Sequence, residues 1–135
     1  MVKVYISGPI TAPTEDEIRA NVERADAAGR ALAAAGYNPF IPHKQTQGWH
    51  ATTSFTREQY LALDFDWLQL CQAIYMLPGW EESLGALAEY EEALRLGIPV
   101  VRSIDELKAL FPGEGTLAPV RRSALYREPQ IICEY

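Results

Sequence analysis

The segment AIYMLPGWEESLGALAE, residues 73–89, decides the fold. Its first five residues form a short apolar run, which predicts a buried strand. A loop containing Gly79 follows, and an Ala-, Leu- and Glu-rich helix is predicted from Ser83 onward. The first N–H groups of a helix lack partners, so this strand, loop and helix predict a binding site. Glu89, one turn beyond Gly85, places a carboxylate beside that site.

Strands and helices alternate along the rest of the chain. Capping-box sequences at Thr14 and Thr56 predict two helix starts. The predicted strands are residues 2–7, 37–41, 73–77 and 98–102, and the predicted helices are residues 14–35, 56–70, a helix from Ser83, and 103–110. Residues 42–55 are predicted as a long loop, residues 112–115 as a turn and residues 130–133 as a short strand. This order predicts an α/β fold, a Rossmann-like (flavodoxin-like) three-layer sandwich around a mostly parallel sheet of four to five strands.

The composition narrows the range of functions. With 135 residues and 48% hydrophobic content, residues 1–135 are expected to form a single domain. A net charge of −6 argues against a nucleic-acid polymer or an anionic membrane as the main partner. No apolar run approaches the ~20 residues that span a bilayer. Cys71 and Cys133 are isolated and no signal peptide precedes them, so a cytoplasmic location is expected.

Three segments are predicted to converge beyond the carboxyl ends of the strands, where open α/β sheets bind ligands. They are Ser7-Gly8-Pro9 after the first strand, the loop with Trp49 and His50 after the second, and the segment from Gly79 to Gly85 after the third. Ser83 adds an oxygen that can cap the helix or donate to an anion. The substrate-binding candidates are therefore Ser7, Gly8, Pro9, Trp49, Gly79, Trp80, Ser83 and Gly85.

The candidate catalytic groups are carboxylates. Glu89 has small neighbours on its helix face that would let a ligand approach, although a solvated glutamate would fit the same pattern. Asp64 and Asp66 lie near the end of the second helix, where the helix dipole disfavours acidic residues. Two carboxylates that meet in one cleft are the usual equipment for glycosidic-bond cleavage. Tyr5 is either a packed aromatic residue or a phenol that bonds a catalytic carboxylate.

The remaining conspicuous side chains give weaker signals. Trp49 and Trp80 could stack on a planar base or could cover the core as loop plugs. His43 and His50 have no neighbours at metal-ligand spacing, so no metal is expected. Gly8-Pro9 does not match G-x-G-x-x-G, so a dinucleotide site has little support and no cofactor is expected.

Three motifs, in this order, resemble the nucleoside 2-deoxyribosyltransferase superfamily, which includes the 2′-deoxynucleoside 5′-phosphate N-hydrolases. Residues 4–10 (VYISGPI) look like its first strand and loop. Residues 64–68 (DFDWL) look like its Asp-x-x-Trp-Leu helix segment, with Asp64 in the place of the catalytic aspartate. Residues 83–89 (SLGALAE) look like Ser-Leu-Gly-x-x-x-Glu, with Glu89 in the place of the nucleophile. The phrase Leu-Pro-Gly-Trp-Glu-x-Ser at residues 77–83 is closest to a small, poorly characterised bacterial and phage branch.

The resemblance implies an enzyme that cleaves the N-glycosidic bond of a (deoxy)nucleoside or nucleoside 5′-monophosphate, as a hydrolase or a base-exchanging transferase. Glu89 would attack C1′, and Asp64 with Tyr5 would protonate the leaving base or orient Glu89. Ser83 and Gly85 would hold the 5′ end of the substrate. Relatives complete each active site with residues from a neighbouring subunit. A homodimer or higher homo-oligomer is therefore expected, with a role for the tail at residues 112–135.

Two departures from the superfamily pattern keep other functions open. Gln72 stands where the family usually has an aspartate before its third strand, and residues 11–15 replace an Arg-containing substrate loop. Both departures favour a non-catalytic nucleotide-binding or sensing module on the same fold. A third interpretation is an NAD-cleaving glycohydrolase. The sequence does not identify the base, the sugar, the 5′ substituent or the acceptor.

Overall fold

The computed structural model describes residues 1–112 and Leu125. Its strands are β1 (Lys3–Ser7), β2 (Asn38–Phe40), β3 (Ala73–Met76) and β4 (Val100–Val101). Its helices are α1 (Glu15–Ala34), α2 (Pro42–Gln45), α3 (Arg57–Leu68), α4 (Leu84–Leu96) and α5 (Ile104–Leu110), with 3₁₀ turns at Trp49–Ala51 and Trp80–Glu82. The predicted turn beyond residue 112, the predicted strand at residues 130–133 and the predicted role of the tail lie outside the described residues.

The four strands form one parallel sheet in the order β2-β1-β3-β4. Tyr5 of β1 lies opposite Phe40 of β2 on one side and Ile74 of β3 on the other. Pro39 lies in β2, an edge strand, where its missing N–H costs no central ladder bond. The chain moves from β1 outward to β2 and then back across to β3. The order of the sheet therefore reverses between β1 and β3, where a ligand site is expected.

Both predicted capping boxes are present. Thr14 accepts a hydrogen bond from the N–H of Glu17 at 3.2 Å, and Thr56 accepts one from the N–H of Gln59 at 3.2 Å. In return, side-chain oxygens of Glu17 and Gln59 accept hydrogen bonds from the backbone N–H groups of Thr14 and Thr56. Ser83 caps α4 through the N–H of Ala86. These caps explain why the helix starts were predicted to within one residue.

Helices cover both faces of the sheet, so the predicted α/β three-layer sandwich is confirmed. On one face, residues of β1, β3 and β4 pack against α1 and α5; this core contains Val4, Ile6, Ala25, Leu32, Tyr37, Ala73, Leu77, Val101 and Leu107. On the other face, the sheet packs against α3 and α4; this core contains Tyr5, Leu68, Cys71, Ile74, Met76, Trp80, Ala86 and Ala93. Successive residues of β1 alternate between the two cores, as the period of a strand requires.

The packing of α1 depends on a glycine. A Cβ added at Gly29 would lie 2.4 Å from Cδ1 of Ile41 and 3.0 Å from its Cγ1. Real Cβ atoms do not approach this closely, so a larger residue would require the Ile41 side chain or α1 itself to shift, and glycine permits the present close packing of α1 on the segment that follows β2.

The prediction of a structureless loop at residues 42–55 is wrong. This segment contains α2 and the 3₁₀ turn at residues 49–51. Pro42 occupies the first turn of α2, where its missing N–H has no cost. A four-residue helix is too short to show a hydrophobic period, which is why the sequence did not predict it. Among the described residues, no helix is long and apolar enough to span a membrane.

Candidate active site

A cavity of about 800 Å³ opens at the carboxyl ends of the strands. Its walls come from the loops after β1 and β3, from the segment between β2 and α3, from α1 and α3, and from the first turns of α4. These segments meet at the point where the strand order reverses between β1 and β3. The cavity therefore lies where the topology predicts a ligand.

The carboxylate of Glu89 lies at the inner end of this cavity and is held by two hydroxyl groups. Its Oε1 accepts a hydrogen bond from Ser7 Oγ at 2.8 Å, and its Oε2 accepts one from the phenol of Tyr5. Glu89 is only 5% exposed, and both hydroxyl donors are fully buried. Tyr5 and Ser7 are two residues apart on β1, so their side chains point to the same face of the sheet.

Asp64 of α3 also lines the cavity and interacts with Glu89. Burial is the main cause that raises the pKa of Glu89 to about 8, and the nearby Asp64 carboxyl adds to it. Burial likewise raises the pKa of Asp64 to about 6. Two carboxyls this close do not both ionise easily, so the pair holds one shared proton near neutral pH. Burial beside Glu89 raises the pKa of Tyr5 well above its usual value, so its phenol stays a neutral donor.

Of the two candidate aspartates, Asp64 alone faces the site. Asp66 is exposed and accepts a hydrogen bond from Gln69 Nε2 at 3.1 Å. Residues two apart on a helix point in different directions, so α3 can present only one of them to the cavity.

Several predicted substrate-binding residues line the cavity: Gly8, Pro9, Gly79, Ser83 and Gly85. A Cβ added at Gly8 would lie 2.7 Å from Cβ of Leu77, so a glycine lets the first loop pack against the end of β3. A Cβ added at Gly85 would meet no atom within 4 Å, so the first turn of α4 is open toward the cavity. Ser7, also predicted to bind substrate, is instead buried beneath the cavity against Glu89.

Neither predicted tryptophan lines the cavity. Trp80 is 7% exposed and packs in the core beside Tyr90, with the two ring centroids 4.7 Å apart. Trp49 packs against Phe55, with ring centroids 6.0 Å apart. The aromatic residues that do line the cavity are Phe55 and Tyr60. Trp80 is therefore used in core packing, which corrects the prediction that this ring covers the base. Stacking by Trp49 stays a prediction, because its half-buried ring lies beside Phe55, a residue of the cavity wall.

Two arginines line the cavity that the sequence did not single out. Arg57 is the first residue of α3, and Arg24 lies on α1. Arg24 donates a hydrogen bond to Oδ1 of Asn21, whose Nδ2 donates to the carbonyl oxygen of Ile10 at 3.0 Å. A sequence signal existed, because Arg57 precedes Asp64 by two helical turns and so shares its helix face.

His43 and His50 do not belong to a metal site in the described part of the chain. His43 is 1% exposed, and burial lowers the pKa of its imidazole to about 4, so the ring is neutral. His50 is exposed and lies 3.0 Å from a carboxylate oxygen of Glu15. Within residues 1–112 and Leu125, no group of three His, Cys, Asp or Glu side chains could hold a metal ion.

Gln72 lies at the amino end of β3, at the edge of the sheet opposite the cavity. Its Oε1 accepts a hydrogen bond from the backbone N–H of Lys3 at 2.7 Å, and its Nε2 donates to the carbonyl of Leu70 at 3.3 Å. The side chain ties the start of β3 to the start of β1. It therefore has no contact with Glu89, which lies beyond the other end of these strands.

Comparison with known proteins gives a family and a fold. No curated protein matches the sequence significantly. The chain is similar in structure to a 2-deoxyribosyltransferase from the psychrotolerant bacterium Bacillus psychrosaccharolyticus, a biocatalyst for nucleoside synthesis. The TM-score is 0.56, the sequence identity is 18%, and the alignment covers 73% of this chain and 69% of that one. This similarity establishes a shared fold. The family described as "Domain of unknown function (DUF4406)" matches residues 2–102 of the 135, and the chain therefore belongs to that family.

Proposed function

We propose that this protein is an enzyme that cleaves the N-glycosidic bond of a nucleoside or nucleoside 5′-monophosphate. Glu89 is the nucleophile and Asp64 is the acid. One observation carries the proposal: Glu89 is a buried carboxylate at the inner end of a large cavity, with one hydroxyl donor on each oxygen and a second carboxyl beside it. A buried carboxylate is expensive, so a protein without a use for this one would be expected to replace it.

The shared proton supplies the protonation state that the reaction requires. Glycosidic cleavage through a covalent intermediate needs one ionised carboxylate to attack and one protonated carboxyl to assist the leaving group. Near neutral pH the proton lies mainly on Glu89, which has the higher pKa, and the reactive form is the tautomer that carries it on Asp64. In that tautomer Glu89 is ionised, and hydroxyl donors from Tyr5 and Ser7 stabilise its charge. Tyr5 and Ser7 are therefore positioning residues that hold the nucleophile and favour its ionised form.

In the first step, a carboxylate oxygen of Glu89 forms a bond to C1′ of the sugar. The bond between C1′ and the base nitrogen breaks, and its electron pair leaves with the base. Asp64 donates its proton to the base. In the second step, Asp64 accepts a proton from the acceptor, and the acceptor's freed electron pair attacks C1′ and releases Glu89. A water acceptor gives hydrolysis, and a second base gives base exchange.

The dimensions of the cavity agree with this arrangement. Glu89 follows Ser83 by six residues on α4, which corresponds to about 9 Å along the helix axis. A sugar over Glu89 can therefore extend its 5′ end toward Ser83 and Gly85. Phe55 and Tyr60, which also line the cavity, offer aromatic rings to the base. The fold shared with a 2-deoxyribosyltransferase supports a nucleoside substrate without identifying it.

The test is a substrate panel with free base as the readout. The purified chain is incubated with deoxyribonucleosides, ribonucleosides, their 5′-monophosphates and NAD, and released base is measured by chromatography. Glu89→Gln should reduce base release by roughly a thousandfold or more, because the nucleophile is removed. Glu91→Gln is the matched control, since Glu91 is exposed on the same helix and should leave turnover unchanged.

The panel also separates the alternatives. Binding of a nucleotide without release of any base would overturn the proposal in favour of a sensing module. Release of nicotinamide from NAD alone would assign the site to NAD cleavage. Gln72 gives little support to a sensing module, because its side chain lies at the far edge of the sheet.

A further inference from the structure

We infer that Arg24 and Arg57 form an anion subsite at the mouth of the cavity, so that the substrate of the proposed enzyme carries a phosphate on its 5′ carbon. The inference rests on the proposed function, because it places this phosphate relative to a sugar bound over Glu89. It also names two residues that would decide between a nucleoside and its monophosphate.

Arg57 lies at the height above the two carboxyls that a 5′ substituent would occupy. Helix α3 leads into β3 and helix α4 leads into β4. Because these strands are parallel, the two helices run in the same direction. Arg57 precedes Asp64 by seven residues, or about 10 Å along α3, and Ser83 precedes Glu89 by about 9 Å along α4. The Arg57 guanidinium and the start of α4 therefore lie at a similar height above the two carboxyls. That height suits a 5′ substituent.

Within the described residues, Arg24 and Arg57 have no acidic partner. Arg19, Arg30 and Arg95 all form ion pairs with carboxylates on their own helices. Within the described part of the chain, neither Arg24 nor Arg57 forms an ion pair, although the protein has a net charge of −6. In so acidic a chain, two unpaired arginines on the wall of one cavity indicate an anionic ligand.

Arg24 is held in place by a hydrogen bond to Asn21. Asn21 is 8% exposed, fixes the carbonyl of Ile10 in the first loop and accepts a hydrogen bond from Arg24. A guanidinium has five N–H donors, so the remaining ones are free to face a ligand. Arginine pairs bidentately with phosphate oxygens, which makes a phosphate monoester a better occupant than a single carboxylate.

The other charged groups of the cavity do not cancel this pair. Glu82 lines the cavity, and its single negative charge offsets only one of the two positive charges of Arg24 and Arg57. His50 lines it as well, but its imidazole faces Glu15. Asp64 and Glu89 lie deeper and share a proton. The mouth of the cavity therefore keeps an excess of positive charge.

The test compares matched pairs of substrates. For the wild type, kcat/KM for base release should be at least about tenfold higher with a 2′-deoxynucleoside 5′-monophosphate than with the corresponding nucleoside. Arg24→Ala and Arg57→Ala should each lower this ratio by about tenfold or more, which is the usual effect of losing a charged hydrogen bond. Arg95→Ala, which removes an arginine paired with Glu92 and outside the cavity, should leave the ratio unchanged.

A binding experiment separates this inference from the proposed function. The Glu89→Gln protein is titrated calorimetrically with the four 2′-deoxynucleoside 5′-monophosphates, with inorganic phosphate as competitor, with and without the arginine substitutions. If no substrate loses its base but a monophosphate binds in an arginine-dependent way, the proposed function fails and the subsite stands. If nucleosides and monophosphates react equally and the arginine variants change neither binding nor the ratio, the subsite is overturned and the function stands.

Discussion

Tyr5→Phe isolates one hydrogen bond on which the proposed chemistry depends. The phenol of Tyr5 is fully buried and donates to Oε2 of Glu89, while its ring packs 5.7 Å from that of Phe40. Phenylalanine keeps the ring contact and removes only the donor. A buried hydrogen bond to a charged acceptor contributes about 1.5–3 kcal/mol. If this energy favours only ionised Glu89, kcat/KM near neutral pH should fall roughly ten- to hundredfold.

The same loss has a signature in the pH dependence. Without the donor, the pKa of Glu89 rises. Glu89 has the higher pKa of the pair, so the alkaline limb of the pH–rate profile should move to higher pH by about one to two units. The assay is kcat/KM for base release from about pH 5 to about pH 10.5, so that the shifted limb falls within the range, with circular dichroism to check the fold. Tyr90→Phe is the control, because Tyr90 packs on Trp80 outside the cavity. A folded Tyr5→Phe protein with an unmoved alkaline limb would refute the reasoning.

Three further perturbations have expected outcomes. The pKa values of Asp64 and Glu89 are both raised in the folded state, which therefore holds protons that the unfolded chain releases. The stability of the wild type should therefore fall as pH rises from about 4 to about 8, and the Tm of Glu89→Gln should fall less over that range. Asp64→Asn cannot donate a proton to the base and should lower kcat by about a hundredfold or more, with loss of the alkaline limb; retention of that limb would contradict its role as the acid. Gly29→Ala places a Cβ against Ile41 and should lower the free energy of unfolding in urea by about 1–3 kcal/mol, whereas Gly85→Ala, with open space around it, should not.

The fold could be predicted because its signals are local. Capping boxes at Thr14 and Thr56 and short apolar runs gave the starts of helices and strands, and their alternation gave a parallel sheet. The short α2 was missed because four residues carry no periodicity. The length of β4 was overestimated, because Ile98 is apolar for its packing against the core, while only Val100 and Val101 pair with β3.

The site was predictable only in part because it depends on contacts that the sequence does not contain. The motif around Gly85 and Glu89 fixed the nucleophile candidate, and helix spacing limited the choice between Asp64 and Asp66. The destination of an aromatic ring depends on neighbours far along the chain. Trp80 meets Tyr90 and the guanidinium of Arg102, which no local pattern could indicate.

The alternation of β1 has a consequence for how the chain folds. Tyr5 and Ser7 present hydroxyls to Glu89, whereas Val4 and Ile6 point into the opposite core. If β1 paired one residue out of register, two aliphatic side chains would replace the hydroxyls, and the carboxylate would be buried without donors. Glu89 thus penalises a misregistered sheet as well as serving the reaction. A chain in which β1 pairs out of register would lose stability and catalysis together. Few molecules that are folded but inactive should therefore persist.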